Sequence, residues 1–197
     1  MNTLPRYWLL DWHGRVLDHD LLHDRITTQD FTPGRYPGIY FTALNPAVTP
    51  FTVELLKMTS LPMPLPRLQA RDAENGLVAL ANLDSAGHYA ISIPNEGFKT
   101  NSPNISDWER FLILSEPMMV GMAILMMPNL CAVHDESGQP YPPLLTTSRT
   151  RGQLGDVFFP LAQACPSLER VAHMKPGEEL TIELPSDPPR TFTFKRH

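Results

Sequence analysis

Twenty-one of the 197 residues are proline, about twice the usual share of roughly 5 per cent. Each one fixes φ and removes a backbone donor, so it interrupts a helix interior or a central strand. A chain punctuated this often builds short elements joined by many turns. The prolines crowd most tightly in LPMPLPR, Leu61 to Arg67, which reads as an extended connector of polyproline type. That stretch, 61–67, marks a subdomain boundary if there is one. Otherwise residues 1–197 suit a single globular domain, long enough to bury a core without staples.

Composition narrows the partners. Hydrophobic residues make up 42% and charged residues 19%, which argues against disorder. A net charge of −5 with no cluster of Lys or Arg leaves no footprint for a nucleic-acid backbone, so no nucleic-acid partner is expected. The opening MNTLPRYWLLDWHGR has only four apolar residues in a row, too few for the apolar region of a signal peptide. Cys131 and Cys165 each sit among apolar residues and read as reduced thiols in a cytoplasmic protein. Met118 to Met127 is an apolar run of ten, half of the roughly 20 residues a membrane helix needs. It reads as a buried helix or strand with Met as filler; the stacked spacing of Met118, Met122 and Met126 raises a soft-metal site or partner groove as the alternative.

Short strands dominate the rest. YWLLDW, His13-Gly14 and RVLDHDL read as strand, two-residue turn and strand, a pattern that needs positive φ in the turn. This pairing puts Trp8, Leu10, Trp12, Leu17, His19 and Leu21 on one face. GIYFTAL reads as a strand, FTVELLKM as a short helix or strand, and GLVALANL with HYAISIP as a second hairpin. NEGFKTNSPN is expected as surface loop, with Ser106 capping a helix from Asp107. PGEELTIELP and RTFTFK read as closing strands joined at Ser186–Pro189. The fold class expected is therefore α+β: a strand-rich single core with an N-terminal hairpin, a few short helices and C-terminal closing strands.

Three candidate chemistries follow. DWHGRVLDHDLLHD holds three of the seven histidines and four aspartates. On a helix, His19 and His23 would lie one turn apart, with Asp20 or Asp24 as neighbouring carboxylate, a spacing that zinc ligands use. On a hairpin, His13 is a turn tip, His19 lies near Trp8 and His23 falls beyond the pairing, so the three diverge. No C-x-x-C pair supplies a second zinc signature, and RTRG, Arg149 to Gly152, is a solvated loop or, less simply, a phosphate site.

WHGR, Trp12 to Arg15, with GIYFTALNPA, Gly38 to Ala47, resembles the His-Gly and Tyr-bearing strand segments of ADP-ribosyltransferases of the His-Tyr-Glu type. The resemblance implies NAD as cofactor, with His13 on its ribose, Tyr40 against nicotinamide, and a later Glu, Glu136 in HDESGQPY, orienting the attacking group. The chain departs from that pattern at Trp12, where the family often has Tyr, and at Arg15, where it often has Thr.

No nucleophile elbow or phosphate loop is present. The leading expectation is thus a cytoplasmic protein-binding module without cofactor, an adaptor, immunity or assembly protein, acting through a strand edge or a loop-rich face.

Overall fold

RYWLLD forms strand β1, Arg6–Asp11, and its unbroken apolar run is explained by burial on both faces: Trp8, Leu9 and Leu10 are all buried. The computed structural model describes residues 4–59, 64–74, 76–93, 96–127, 129–140, 167–184 and 190–197. Strand β2, Arg15–Asp20, returns antiparallel. Leu10 pairs with Val16, which leaves Trp12, His13 and Gly14 as a three-residue turn. Gly14 takes the left-handed conformation, φ 75°, and its amide donates to the Asp11 carbonyl at 3.0 Å. That is the geometry of a three-residue hairpin loop closed by a glycine bulge. The two-residue turn expected from His13-Gly14 would have paired Leu10 with Leu17. One residue of register reverses the faces, so Leu17 shares the core with Leu9 and His19 does not lie on the Trp8 face.

A second tight hairpin follows. Strand β3, Arg25–Asp30, pairs with β2 from Arg15↔Asp30 to Asp20↔Arg25, and the turn between them is Leu21 to Asp24. Eight further strands complete the larger sheet: β4 (Ile39–Thr42), β5 (Phe51–Glu54), β6 (Leu56–Lys57), β7 (Arg67–Asp72), β8 (Val78–Asn82), β9 (Tyr89–Ile93), β10 (Gly97–Ser102) and β11 (Arg110–Ser115). The 11-stranded sheet has the order β10-β9-β8-β11-β1-β2-β3, with β4 and β6 paired off β1, and β5 and β7 off β8. Its two ends approach one another: a Cβ placed on Gly97 of β10 would lie 3.7 Å from Thr27 Oγ1 of β3. The sheet is thus a nearly closed barrel. Leu9, Leu17, Ile39, Phe41, Leu68, Leu80 and Phe111 fill its core, each contributing about 1.5–3 kcal/mol relative to exposure. β5, before the 61–67 stretch, and β7, which begins at its last residue, pair with each other in this sheet; residues 61–63 lie outside the described set.

The chain divides into two compact units, Met1–Phe31 with Arg35–Ser115, and Thr32–Gly34 with Glu116–His197. In the second, helix α1 (Glu116–Leu125) packs on helix α2 (Ser167–His173) where Gly121 meets the Leu168 carbonyl. The methionines at 118, 119, 122 and 126 are buried. β12 (Cys131–His134), β13 (Glu179–Leu184) and β14 (Arg190–Arg196) form a three-stranded sheet in the order β12-β14-β13. Across the closing pair, Leu180 faces Phe194 and Ile182 faces Phe192 on the buried side, while Thr181 and Thr193 bond at 3.2 Å outside.

The α+β expectation is corrected. Among the described residues there are fourteen strands against two α-helices and one 3-10 turn, so the fold is strand-dominated. Helix-like windows became strands because their period is two. FTVE alternates half-buried, exposed, buried, exposed as β5. The expected helix after Ser106 is the single 3-10 turn Asp107–Glu109, and the chain runs straight into β11. GFKTNS, expected as loop, is β10. Cys165, Arg149 to Gly152 and Ser186 to Pro189 lie outside the described residues.

Candidate functional site

The His- and Asp-rich opening stretch resolves into two separate polar networks at the two ends of β2. At the start of β2, Asp11 is fully buried. Its Oδ1 accepts the amides of His13 at 2.9 Å and Arg15 at 2.8 Å, and its Oδ2 accepts Arg15 Nε at 3.0 Å and the Ser92 hydroxyl. Arg15 also donates to Ser92 at 2.9 Å. A buried carboxylate is tolerated because every lone pair is used and a guanidinium neutralises it. The result is a rigid turn.

His13, half-buried at that turn, sets its ring edgewise on Trp108 at 5.6 Å. Burial lowers its pKa, with Asp11 opposing and Arg15 assisting. Nearby, Glu109 is buried and accepts the Ser106 amide at 2.8 Å and the Ser102 hydroxyl at 2.7 Å. Burial alone would raise its pKa, but the Ser106 hydroxyl foremost, then the Ser102 hydroxyl and the Ser106 amide, hold it below the usual value.

At the other end of β2, the side chains of Asp18 and His19 are both buried. Asp18 Oδ1 accepts the His19 amide at 2.8 Å and the Gly38 amide at 2.6 Å, while Oδ2 accepts Arg35 at 2.9 Å. His19 uses both ring nitrogens: Nε2 meets Asp24 Oδ1 at 2.9 Å and Nδ1 meets Thr59 Oγ1 at 3.1 Å. Asp20 closes the β2–β3 turn by accepting the amides of Leu22 and His23, the His23 ring at 2.8 Å and Arg25 Nε at 3.2 Å. These donors, His23 foremost, hold its carboxyl down at about 2.

The turn these groups fix exposes its apolar residues. Leu22 is 86% and Leu21 59% exposed, although Asp20 and Asp24 pin the backbone on either side. Asp24 itself adopts a left-handed φ of 46°, a conformation aspartate accepts more readily than most residues. Met58, beside Thr59, is 47% exposed.

The residues singled out from sequence separate accordingly. Tyr40 lies under the Arg6 guanidinium, 5.0 Å from its ring centre, at the start of β1. His13 lies past the far end of that strand, whose six residues span roughly 17 Å. The structure does not bring them together. Glu136 is exposed in the turn after β12, in the second unit. His19 and His23 bond different carboxylates, Asp24 and Asp20, and among the described residues no three His, Cys, Asp or Glu converge as metal ligands do. Sequence reasoning missed Asp18, Gly38 and Thr59 as members of one network. The single available signal was Gly38 before a β-branched run, since a glycine at a strand start marks close backbone approach.

No protein-family model and no curated protein matches the chain. No helix among the described residues is long and apolar enough to cross a membrane. Solved structures similar to parts of the chain include the following two. A designed threefold-symmetric protein, ThreeFoil, is 13% identical over 56% of this chain and 98% of its own, with a TM-score of 0.37. SeviL bound to asialo-GM1 saccharide is 10% identical over 58% of this chain and 99% of its own, with a TM-score of 0.35. Scores this low leave the fold and ligand of this chain to its own geometry.

Proposed function

We propose that this chain is a non-catalytic binding module that takes a protein partner on the β2–β3 turn. One observation carries the reading: Leu21 and Leu22 are 59% and 86% exposed on a turn whose backbone is fixed by two aspartates and a buried histidine. Burying both leucines in a partner contributes about 1.5–3 kcal/mol each. Because the turn is already ordered, little of that is lost to immobilising it on binding.

The test is affinity purification with the native chain and with the double variant L21S/L22S, both checked for the same unfolding midpoint. The reading expects a stoichiometric protein with the native chain, reduced about tenfold or more in the variant, as a loss of ~1.4 kcal/mol or more requires. Equal recovery with both chains overturns it.

A further inference from the structure

We infer that Asp18 and His19 are positioning residues for this surface, a two-armed clamp that holds the β2–β3 turn and the Met58–Thr59 segment as one rigid unit. The inference rests on the reading of that turn as the contact surface.

The two arms start from consecutive residues of β2, whose side chains leave the strand on opposite faces. His19 joins Asp24 in the turn directly to Thr59, at 2.9 and 3.1 Å. Asp18 receives the Gly38 amide at 2.6 Å, and the Gly38 carbonyl in turn receives the Met58 amide at 2.9 Å. Both routes therefore end on adjacent residues, Met58 and Thr59, far from the turn in sequence.

Close approach is built into the second arm. A Cβ on Gly38 would stand 2.8 Å from Asp18 Oδ1 and 3.3 Å from His19 Cβ, so only glycine lets the strand come this near. The polar chemistry itself points to positioning. An apolar pair of similar size would avoid the cost of burying a carboxylate and an imidazole; what hydrogen bonds add is direction. The clamp presents Leu21, Leu22 and Met58, all exposed, from two discontinuous segments in a fixed relation.

Amide hydrogen exchange on the full chain tests this without a partner, using T59V and D24G, each of which removes one hydrogen bond of the His19 arm; glycine also suits the left-handed backbone at position 24. A clamp transmits: T59V should speed exchange in the turn, residues 21–24, and D24G should speed exchange of the Met58 amide, each by about three- to tenfold, the effect of one lost hydrogen bond on local opening. Amides of the β7–β8 ladder should be unchanged. Exchange altered only beside the substituted residue, altered nowhere, or raised equally throughout the chain overturns the clamp. Loss of the clamp would leave the L21S/L22S result standing, and retention of a partner by L21S/L22S would leave the exchange result standing.

Discussion

Gly38 donates its amide to Asp18 Oδ1 at 2.6 Å, and a Cβ at position 38 would lie 2.8 Å from that same oxygen. The carboxylate cannot swing aside freely, because the His19 amide and Arg35 hold it as well. G38A should therefore destabilise the larger unit by about 1–3 kcal/mol, the usual cost of overpacking. Urea denaturation followed by tryptophan fluorescence reads this directly; a midpoint equal to the native one would show that Asp18 yields without cost.

A sterically harder case lies between the two helices. A Cβ on Gly121 would fall 2.1 Å from the Leu168 carbonyl oxygen, a backbone atom that moves only if α1 and α2 separate. G121A should cost about 3 kcal/mol or more, at the upper end of overpacking, despite alanine's better helix propensity. Protection of amides in Glu116–Leu125 should fall in parallel. A gain in stability would mean that the helices are held apart more loosely than the structure has them.

Asp11 supports the first hairpin turn by neutralising Arg15 and accepting two turn amides. D11A leaves a mostly buried guanidinium without its carboxylate and should cost about 3–5 kcal/mol. D11N keeps an acceptor for the two amides and should cost less. Chemical denaturation of both variants gives the order; equal losses would assign the whole effect to charge.

Asp20 gives a pH dependence with a defined sign. His23, and after it Arg25, hold its carboxyl at about 2 against an ordinary 3.8. The folded value lies below the unfolded one, so the contribution is fully present above about pH 4 and is lost as pH falls toward 2. A carbon-13 titration of the Asp20 carboxyl should show a midpoint near 2, moving up toward the ordinary aspartate range in H23Q. An unmoved midpoint in H23Q would assign the shift to Arg25 and the turn amides instead.

How much of this was legible in the sequence depended on range. Local patterns carried the N-terminal hairpin, the Val78–Asn82 with Tyr89–Ile93 hairpin and the closing strands, because alternation and turn residues act over a few positions. The register of the first hairpin slipped by one because Gly14 can close either a two- or a three-residue loop, and the choice is made by Asp11 reaching back to the amides of His13 and Arg15. The helical share was overestimated where short apolar windows such as Phe51–Glu54 fit either period. The larger miss was long-range. Nothing near Asp18 in sequence announces Gly38, and nothing near His19 announces Thr59; the network exists only once β2 and the segment after β6 are folded together. His13 and Tyr40 were linked only by the motif resemblance, and they lie toward different ends of β1.

The central claim, that a protein partner sits on the Leu21–Leu22 turn, is tested most directly by a photo-crosslinking side chain placed at position 22, with Glu74 on another exposed turn as the control site. The account predicts that illumination in cell extract yields one dominant protein adduct from position 22 and none of that identity from position 74. No adduct from position 22, or the same adducts from both positions, would contradict it.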